Sequence, residues 1–247
     1  MNKPKILFID IETSPNISYT WGKWEQDVIE FKKEWYILSF SAKWLHGKQI
    51  TRGLCDYKGV SDKSLVKEIW GLFDEADVIV AHNGDQFDIK KIQTRFTTYN
   101  IKPPAPFKTI DTKKVAKRYF GFNSNSLNDL GKSLGLGKKY KHNGFELWLG
   151  CMAGDKKSWS IMKKYNVIDV ILLEKIYLHF LPWISSHPNY SSFFGGPVCP
   201  KCGSKDIIHK GYTMTLTAQF RRFVCRDCGG WGRYRIPDKK IDGVVSL

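Results

Sequence analysis

Residues 5–12 read KILFIDIE, a short apolar run that ends on two acidic residues, Asp10 and Glu12. Lys5 to Ile9 has the length and composition of a buried strand. Residues two apart in a strand point to one face, so the two carboxylates project together. A pair of this kind also fits a polar strand end, and the rest of the chain must decide between the readings.

Working outward, Tyr36 to Trp44 is a second apolar and aromatic run, read as a second strand. The residues between the two runs hold Trp21, Trp24 and Trp35 and read as a long loop or hairpin. Leu65, Ile69, Leu72 and Phe73 then recur at helical spacing, and Val78 to Ala81 is a short apolar strand. Ile89, Ile92 and Phe96 mark another helix, which Pro103 to Pro106 stops, and Phe107 to Ile110 resumes as a strand into Asp111, read as a helix cap. Ser126 with Asp129 three residues on opens a capped helix carrying Leu127, Leu130 and Leu134. From Trp159 to Phe180 the apolar positions Ile161, Tyr165, Ile168, Leu172 and Ile176 give the longest helix. Strands followed by alternating helices and strands imply an α/β domain, a mixed sheet flanked by helices.

After Leu181 the stretch SSHPNYSSFFGGP has no period and is rich in Ser, Gly and Pro, which reads as a linker. The expected organisation is a main domain over residues 1–185, a linker over 186–196 and a small β-rich module over 197–247. The 247 residues, 42% hydrophobic and 14% aromatic, suffice for one full core and one appendage.

Lys and Arg number 39 against 24 Asp and Glu, for a net charge of +15. That balance favours a polyanionic partner, because each neutralised phosphate releases condensed counterions. No segment reaches the ~18 consecutive apolar residues of a membrane helix, and the amino terminus lacks a signal peptide's apolar region. A soluble, cytoplasmic protein that does not engage membranes is expected.

Two further acidic segments follow the first. In AHNGDQFD, Asn83 to Asp88 fits N-x-x-x-F-D directly after an apolar strand, which places Asp88 at the carboxyl end of the sheet, where open α/β sheets set their sites. A helix cap is the simpler role for Asp88. Tyr165 and Asp169 stand four apart in the long helix and share a face; an Asp on an apolar stripe is costly to bury unless paired or metal-bound. Phosphodiester cleavage with two cations needs several carboxylates converging on one point, because Mg²⁺ prefers hard oxygen ligands.

Taken in order, D-x-E, N-x-x-x-F-D and Y-x-x-x-D resemble the three motifs of the DEDD superfamily of 3′–5′ exonucleases. Tyr165 matches the tyrosine subtype, similar to the proofreading domains of family B and family A DNA polymerases. The resemblance covers residues 5 to about 180 and implies an RNase H-like fold. It also implies that Asp10, Glu12 and Asp169 hold one Mg²⁺ or Mn²⁺, that Asp10 and Asp88 hold a second, and that Tyr165 orients the attacking water. Thr13, Asn83 and Phe87, beside the motif carboxylates, are expected to meet the terminal nucleotides. Asp85 reads as solvent-facing, His82 and Asn83 as ties for the strand end rather than metal ligands, and Lys138, Lys139 and Lys141 as a solvated basic face.

Cys199, Cys202, Cys225 and Cys228 form two CxxC pairs, and four thiolates so spaced satisfy one structural Zn²⁺. The CxxCG form is also that of rubredoxin, which leaves iron as an alternative. Cys55 and Cys151 read as packing residues. Residues 197–247 hold ten Lys/Arg against four Asp, a balance of +6. Arg221, Arg222, Arg233 and Arg235, interleaved with aromatic residues, suit single-strand binding; a ribbon that only stabilises the carboxyl terminus, or binds protein, is the other reading. The expected activity is metal-dependent removal of nucleotides from a single-stranded 3′ end, DNA favoured over RNA; an exoribonuclease or a structure-specific endonuclease on the same fold, and a nucleic-acid-binding protein without catalysis, are the alternatives. With no polymerase domain in the 247 residues, the enzyme would act alone or in trans with replication or repair proteins, and a phage or bacterial system suits it.

Overall fold

A computed structural model describes residues 3–24, 27–57, 61–240 and 243. The chain divides into two compact units, Lys5–Tyr177 and Leu178–Leu247, the latter joined by the amino-terminal Met1–Pro4. The last residues of the expected ribbon module, 241–242 and 244–247, lie outside the described residues.

In chain order the first unit comprises β1 (Ile6–Thr13), β2 (Ile17–Tyr19), β3 (Glu30–Lys33), β4 (Ile37–Trp44), β5 (Gln49–Gly53), α1 (Lys63–Glu75), β6 (Val78–Ala81), α2 (Asp88–Thr98), β7 (Lys108–Asp111), α3 (Thr112–Tyr119), α4 (Leu127–Ser133), α5 (Glu146–Met152) and most of α6 (Lys156–Phe180). Five strands form one sheet in the order β5-β4-β1-β6-β7. β1 runs antiparallel to β4 and parallel to β6, and β6 runs parallel to β7, so the sheet is mixed. The Trp-rich segment pairs β2 with β3 as a separate ribbon.

The alternation of β1 sorts its two faces. Leu7, Ile9 and Ile11 are buried against Leu65, Val66, Ile69 and Phe73 of α1 and Ile89, Ile92 and Phe96 of α2. Burying this set supplies most of what holds the layer, at roughly 25 cal/mol per Å² of apolar surface. Phe8, Asp10 and Glu12 point the other way, toward α6. Phe8 meets Tyr177 edge to face at 5.2 Å, and the Lys43 ammonium reaches Glu174 at 2.7 Å. α6 therefore lies along the acidic face of β1.

The second unit holds β8 (Ile207–Met214), β9 (Ala218–Cys225), β10 (Trp231–Arg233) and β11 (Lys239–Lys240). All three partners pair antiparallel with β9. Within residues 186–196 the chain makes a 3-10 turn at Tyr190–Phe193, capped by the Asn189 side chain accepting from Ser191 N–H. Tyr190 is buried there and stacks on His187 and Phe194, so this Ser-rich segment has local order from its aromatic residues. Among the described residues no helix is long and apolar enough to cross a membrane.

Candidate active site

Two of the three sequence motifs, D-x-E and Y-x-x-x-D, converge, and Asp88 of N-x-x-x-F-D lies outside this cluster. One carboxylate oxygen each from Asp10, Glu12 and Asp169 lie within 4.8 Å of one another. β1 supplies the first two by its two-residue period, and α6 supplies the third from the helix laid across that face. Asp169 is fully buried, and its Oδ1 has no hydrogen-bond partner among the described residues.

Asp88 comes from the opposite direction. It begins α2, is buried, and its Oδ1 accepts the Ile11 N–H at 3.1 Å. The paired register of β1 with β6 ends at Phe8 and Val80, so the Ile11 amide has no ladder partner on that side and Asp88 takes it. Asp88 thus stitches α2 to β1 beside Asp10.

Crowding and burial act on all four acids. Burial pushes Asp10 well above the usual carboxylate range, and Glu12, Asp88 and Asp169 add their charges. Burial lifts Glu12 to about 8, with Lys139 opposing and Asp169 and Asp88 assisting. Asp88 rises to about 7 through burial, against the stabilising Ile11 amide. Burial also raises Asp169 despite the neighbouring ammonium of Lys139. Like charges this close ionise together only when a cation arrives.

Lys139 corrects the expectation of a solvated basic run. Its ammonium donates to Asp169 Oδ2 at 2.5 Å and to the Tyr165 hydroxyl at 2.9 Å. Burial alone would lower this lysine, but Asp169, Tyr165 and Asp10 outweigh it and hold it above its ordinary range. The rest of the run remains beside it: Lys132, Lys138, Lys141 and His142 line a cleft of about 610 Å³ that Lys139 also borders. Tyr165 is packed edge-on by His142 at 4.9 Å and Trp148 at 6.3 Å. Burial and the Glu12 and Asp169 charges push its phenol upward, so it is protonated at neutral pH.

Asn166 is a site residue that the motif reading passed over. Fully buried, it donates from Nδ2 to Asp10 Oδ2 at 2.9 Å and accepts from the Ser39 hydroxyl. Ser39 and Ser41 sit opposite Glu12 and Asp10 in the β1–β4 register. The signal was present in β4, where two serines interrupt the apolar run ILSFSAKW.

The neighbours expected to meet nucleotides take varied positions. Thr13 closes β1 at a register irregularity, partly exposed. Asn83 has φ of 65° and donates its N–H to Asp111 Oδ1 at 2.9 Å, which fixes the turn before α2. Phe87 is exposed at the rim, next to Asp88. Asp111 caps α3 as expected, accepting from Lys113 and Lys114 N–H. His82, held neutral by burial that lowers it to about 4, bridges Thr112 and Asn125. Asp85 pairs with Lys114 at 2.7 Å rather than facing solvent alone. Cys151 is buried, whereas Cys55 is exposed and does not pack.

In the second unit the four cysteine sulfurs lie within 4.8 Å of one another, with Cys199–Cys228 and Cys202–Cys225 both at 3.6 Å. A tetrahedron of sulfurs at the Zn–S distance has edges of about 3.8 Å. Each pair sits in the same turn: Gly203 N–H donates to Cys199 O and Gly229 N–H to Cys225 O, with φ of 76° and 72°. Those left-handed positions explain the glycine after each CxxC. Arg222, Arg233 and Arg235 are exposed, while Arg221 pairs with Asp238.

The sequence matches the RNase H superfamily family model over residues 7–181, and the chain belongs to that superfamily. The sheet order and the flanking helices are those of an RNase H-like nuclease fold. Among solved structures, the family B DNA polymerase of the hyperthermophilic archaeon Pyrobaculum calidifontis superposes with a TM-score of 0.57 at 14% identity. The match covers 74% of this chain and 25% of that one, so the likeness spans a quarter of the polymerase. No curated protein matches the sequence.

Both clusters fit the cations their donor sets suggest. Hard carboxylate oxygens, with the orphaned Asp169 Oδ1 among them, suit Mg²⁺ or Mn²⁺, and four thiols at tetrahedral spacing suit Zn²⁺.

Proposed function

We propose that the protein is a metal-dependent 3′–5′ exonuclease acting on single-stranded ends, with DNA favoured over RNA. The observation that carries this reading is the convergence of Asp10, Glu12 and Asp169 within 4.8 Å, with Tyr165 one helical turn before Asp169. Asp10, Glu12 and Asp169 would hold one divalent cation, and Asp10 with Asp88 a second. Bound cations supply Lewis-acid activation of water and neutralise charge on the phosphate and leaving oxygen.

The chain's own groups do the rest. Tyr165, protonated, donates a hydrogen bond that orients the attacking water and cannot serve as a base. Asn166 holds Asp10 in one rotamer, so the carboxylate faces the cluster. Lys139 balances Asp169 and Tyr165 from the side of the lysine-lined cleft, where a phosphate backbone finds positive charge. The DNA preference draws on the tyrosine of the third motif and on the likeness to a DNA polymerase.

The test is incubation with 5′-labelled single-stranded DNA and RNA of one sequence, with Mg²⁺ or Mn²⁺, beside an Asp10→Ala, Glu12→Ala control. A ladder in both metals for DNA, weaker for RNA and absent in the control, is expected. Faster loss of RNA would reverse the sugar preference; intact oligonucleotides throughout would overturn the nuclease assignment.

A further inference from the structure

One face of the ribbon is built from cations around an exposed indole. In the β9–β10 register Arg222 stands opposite Arg233 and Val224 opposite Trp231. Directly opposite residues of an antiparallel pair share a face, as do residues two apart, so Arg222, Trp231 and Arg233 project together. Trp231 is 47% exposed. The Arg222 guanidinium lies 5.1 Å and the Lys210 ammonium 5.8 Å from its ring centroid. Arg233 lies 3.7 Å over Phe220.

These cations are held in place without being neutralised. Arg222 Nε donates to the Lys210 carbonyl at 2.7 Å, which locks the guanidinium beside the indole. Among the described residues none of Lys210, Arg222 and Arg233 is in an ion pair. Of the ribbon's other arginines, Arg221 pairs with Asp238 at 2.9 Å and Arg226 with Asp206 at 3.7 Å, while Arg235 is exposed and in no ion pair among the described residues. The Trp231 face thus carries three cations, Lys210, Arg222 and Arg233, whose charge no acid of the described residues offsets.

We infer that this face, Lys210, Arg222, Trp231 and Arg233, is a second nucleic-acid site that binds a short stretch of single strand. Three cations that keep their charge match consecutive phosphates, and an exposed indole among them stacks an unpaired base. A paired base has both faces covered and cannot stack there. An acidic polypeptide would satisfy the cations but leave the indole unused. The site uses none of the carboxylates, so it stands or falls independently of the nuclease reading.

The experiment uses the full chain carrying Asp10→Ala, zinc-loaded, without added Mg²⁺, so that no substrate is consumed. Anisotropy of a fluorescent oligothymidylate is measured against salt, with duplex of equal length and polyglutamate as competitors. Trp231→Ala is expected to weaken binding about tenfold or more, and Trp231→Phe to retain most of it. Arg222→Gln with Arg233→Gln should lower the salt slope by about 1.4, the value for two single-strand phosphates. Arg221→Gln, with its side chain already engaged by Asp238, should change affinity less than about twofold. Zinc content equal to that of the parent certifies each variant's fold. The inference is overturned if Trp231→Ala and the double Arg variant bind like the parent, if Trp231→Phe fails with Trp231→Ala, or if polyglutamate displaces the strand as readily as unlabelled oligothymidylate does.

Discussion

The Lys139 ammonium donates to Asp169 Oδ2 at 2.5 Å, and Oδ1 of the same carboxylate has no hydrogen-bond partner among the described residues. One oxygen of the buried acid is thus answered by the chain's own cation, and the carboxylate as a whole stands in the cluster with Asp10 and Glu12. Lys139→Met would leave Asp169 unpaired among like charges. Breaking one partner of a buried pair costs about 3–5 kcal/mol; with Lys139 itself 31% exposed, about half of that is expected. Urea denaturation in the absence of divalent cations should show the loss, and added Mn²⁺ should recover a large part of it. A variant as stable as the parent without metal would mean that Lys139 does not balance the cluster.

Asn166 links β4 to the site through Ser39 and Asp10. Asn166→Ala removes the donor that fixes the Asp10 rotamer. Partners of this kind contribute about 10- to 100-fold in metal affinity, so Mn²⁺ binding by calorimetry should weaken by at least about tenfold. Circular dichroism should remain that of the parent. Unchanged Mn²⁺ affinity would assign Asn166 to packing alone.

The raised carboxylates set the pH dependence of the metal-free protein. Glu12 and Asp88 titrate near 8 and 7 when folded, but near 4 when unfolded. Between those limits the folded state binds more protons, so stability falls as pH rises from about 4.5 to 8. His82 opposes this only below about 6.5, because its folded value is lowered to about 4. Melting without divalent cations should therefore drop between pH 6.5 and 8, and Asp10→Asn should raise the melting temperature at pH 8. Mn²⁺ affinity should rise across the same window as protons leave. A melting temperature that climbs from pH 6.5 to 8 without metal would contradict the crowded-carboxylate account.

The ribbon should carry one zinc per chain, with its fold dependent on it, since a module this small builds little core of its own. Cys228→Ser should lower zinc content measured by plasma mass spectrometry and open residues 199–233 to proteolysis, while Lys5–Tyr177 stays protected. Iron found in place of zinc, or a ribbon resistant without metal, would refute the assignment.

How much of this was legible in the sequence depends on the range over which each residue acts. The acids of β1 and α6 sit in periodic segments, so Asp10, Glu12, Tyr165 and Asp169 could be placed on faces from spacing alone. Lys139 could not, because KKYK specifies charge but not the path of the connection that turns its third-motif partner, 30 residues away, toward it. Asn166 lies between two motif positions and acts through a strand 127 residues earlier; only the paired serines of β4 hinted at a polar layer. β5 and α5 escaped notice because short segments carry too little period.

The measurement that tests the central claim most directly compares a linear 5′-labelled single strand with a covalently closed circle of the same sequence, in Mn²⁺. The account predicts that the linear strand shortens one nucleotide at a time from its 3′ end, that 5′-mononucleotides accumulate, and that the circle survives. Cleavage of the circle, or internal cuts before any shortening, would contradict it and make the carboxylate cluster an endonuclease.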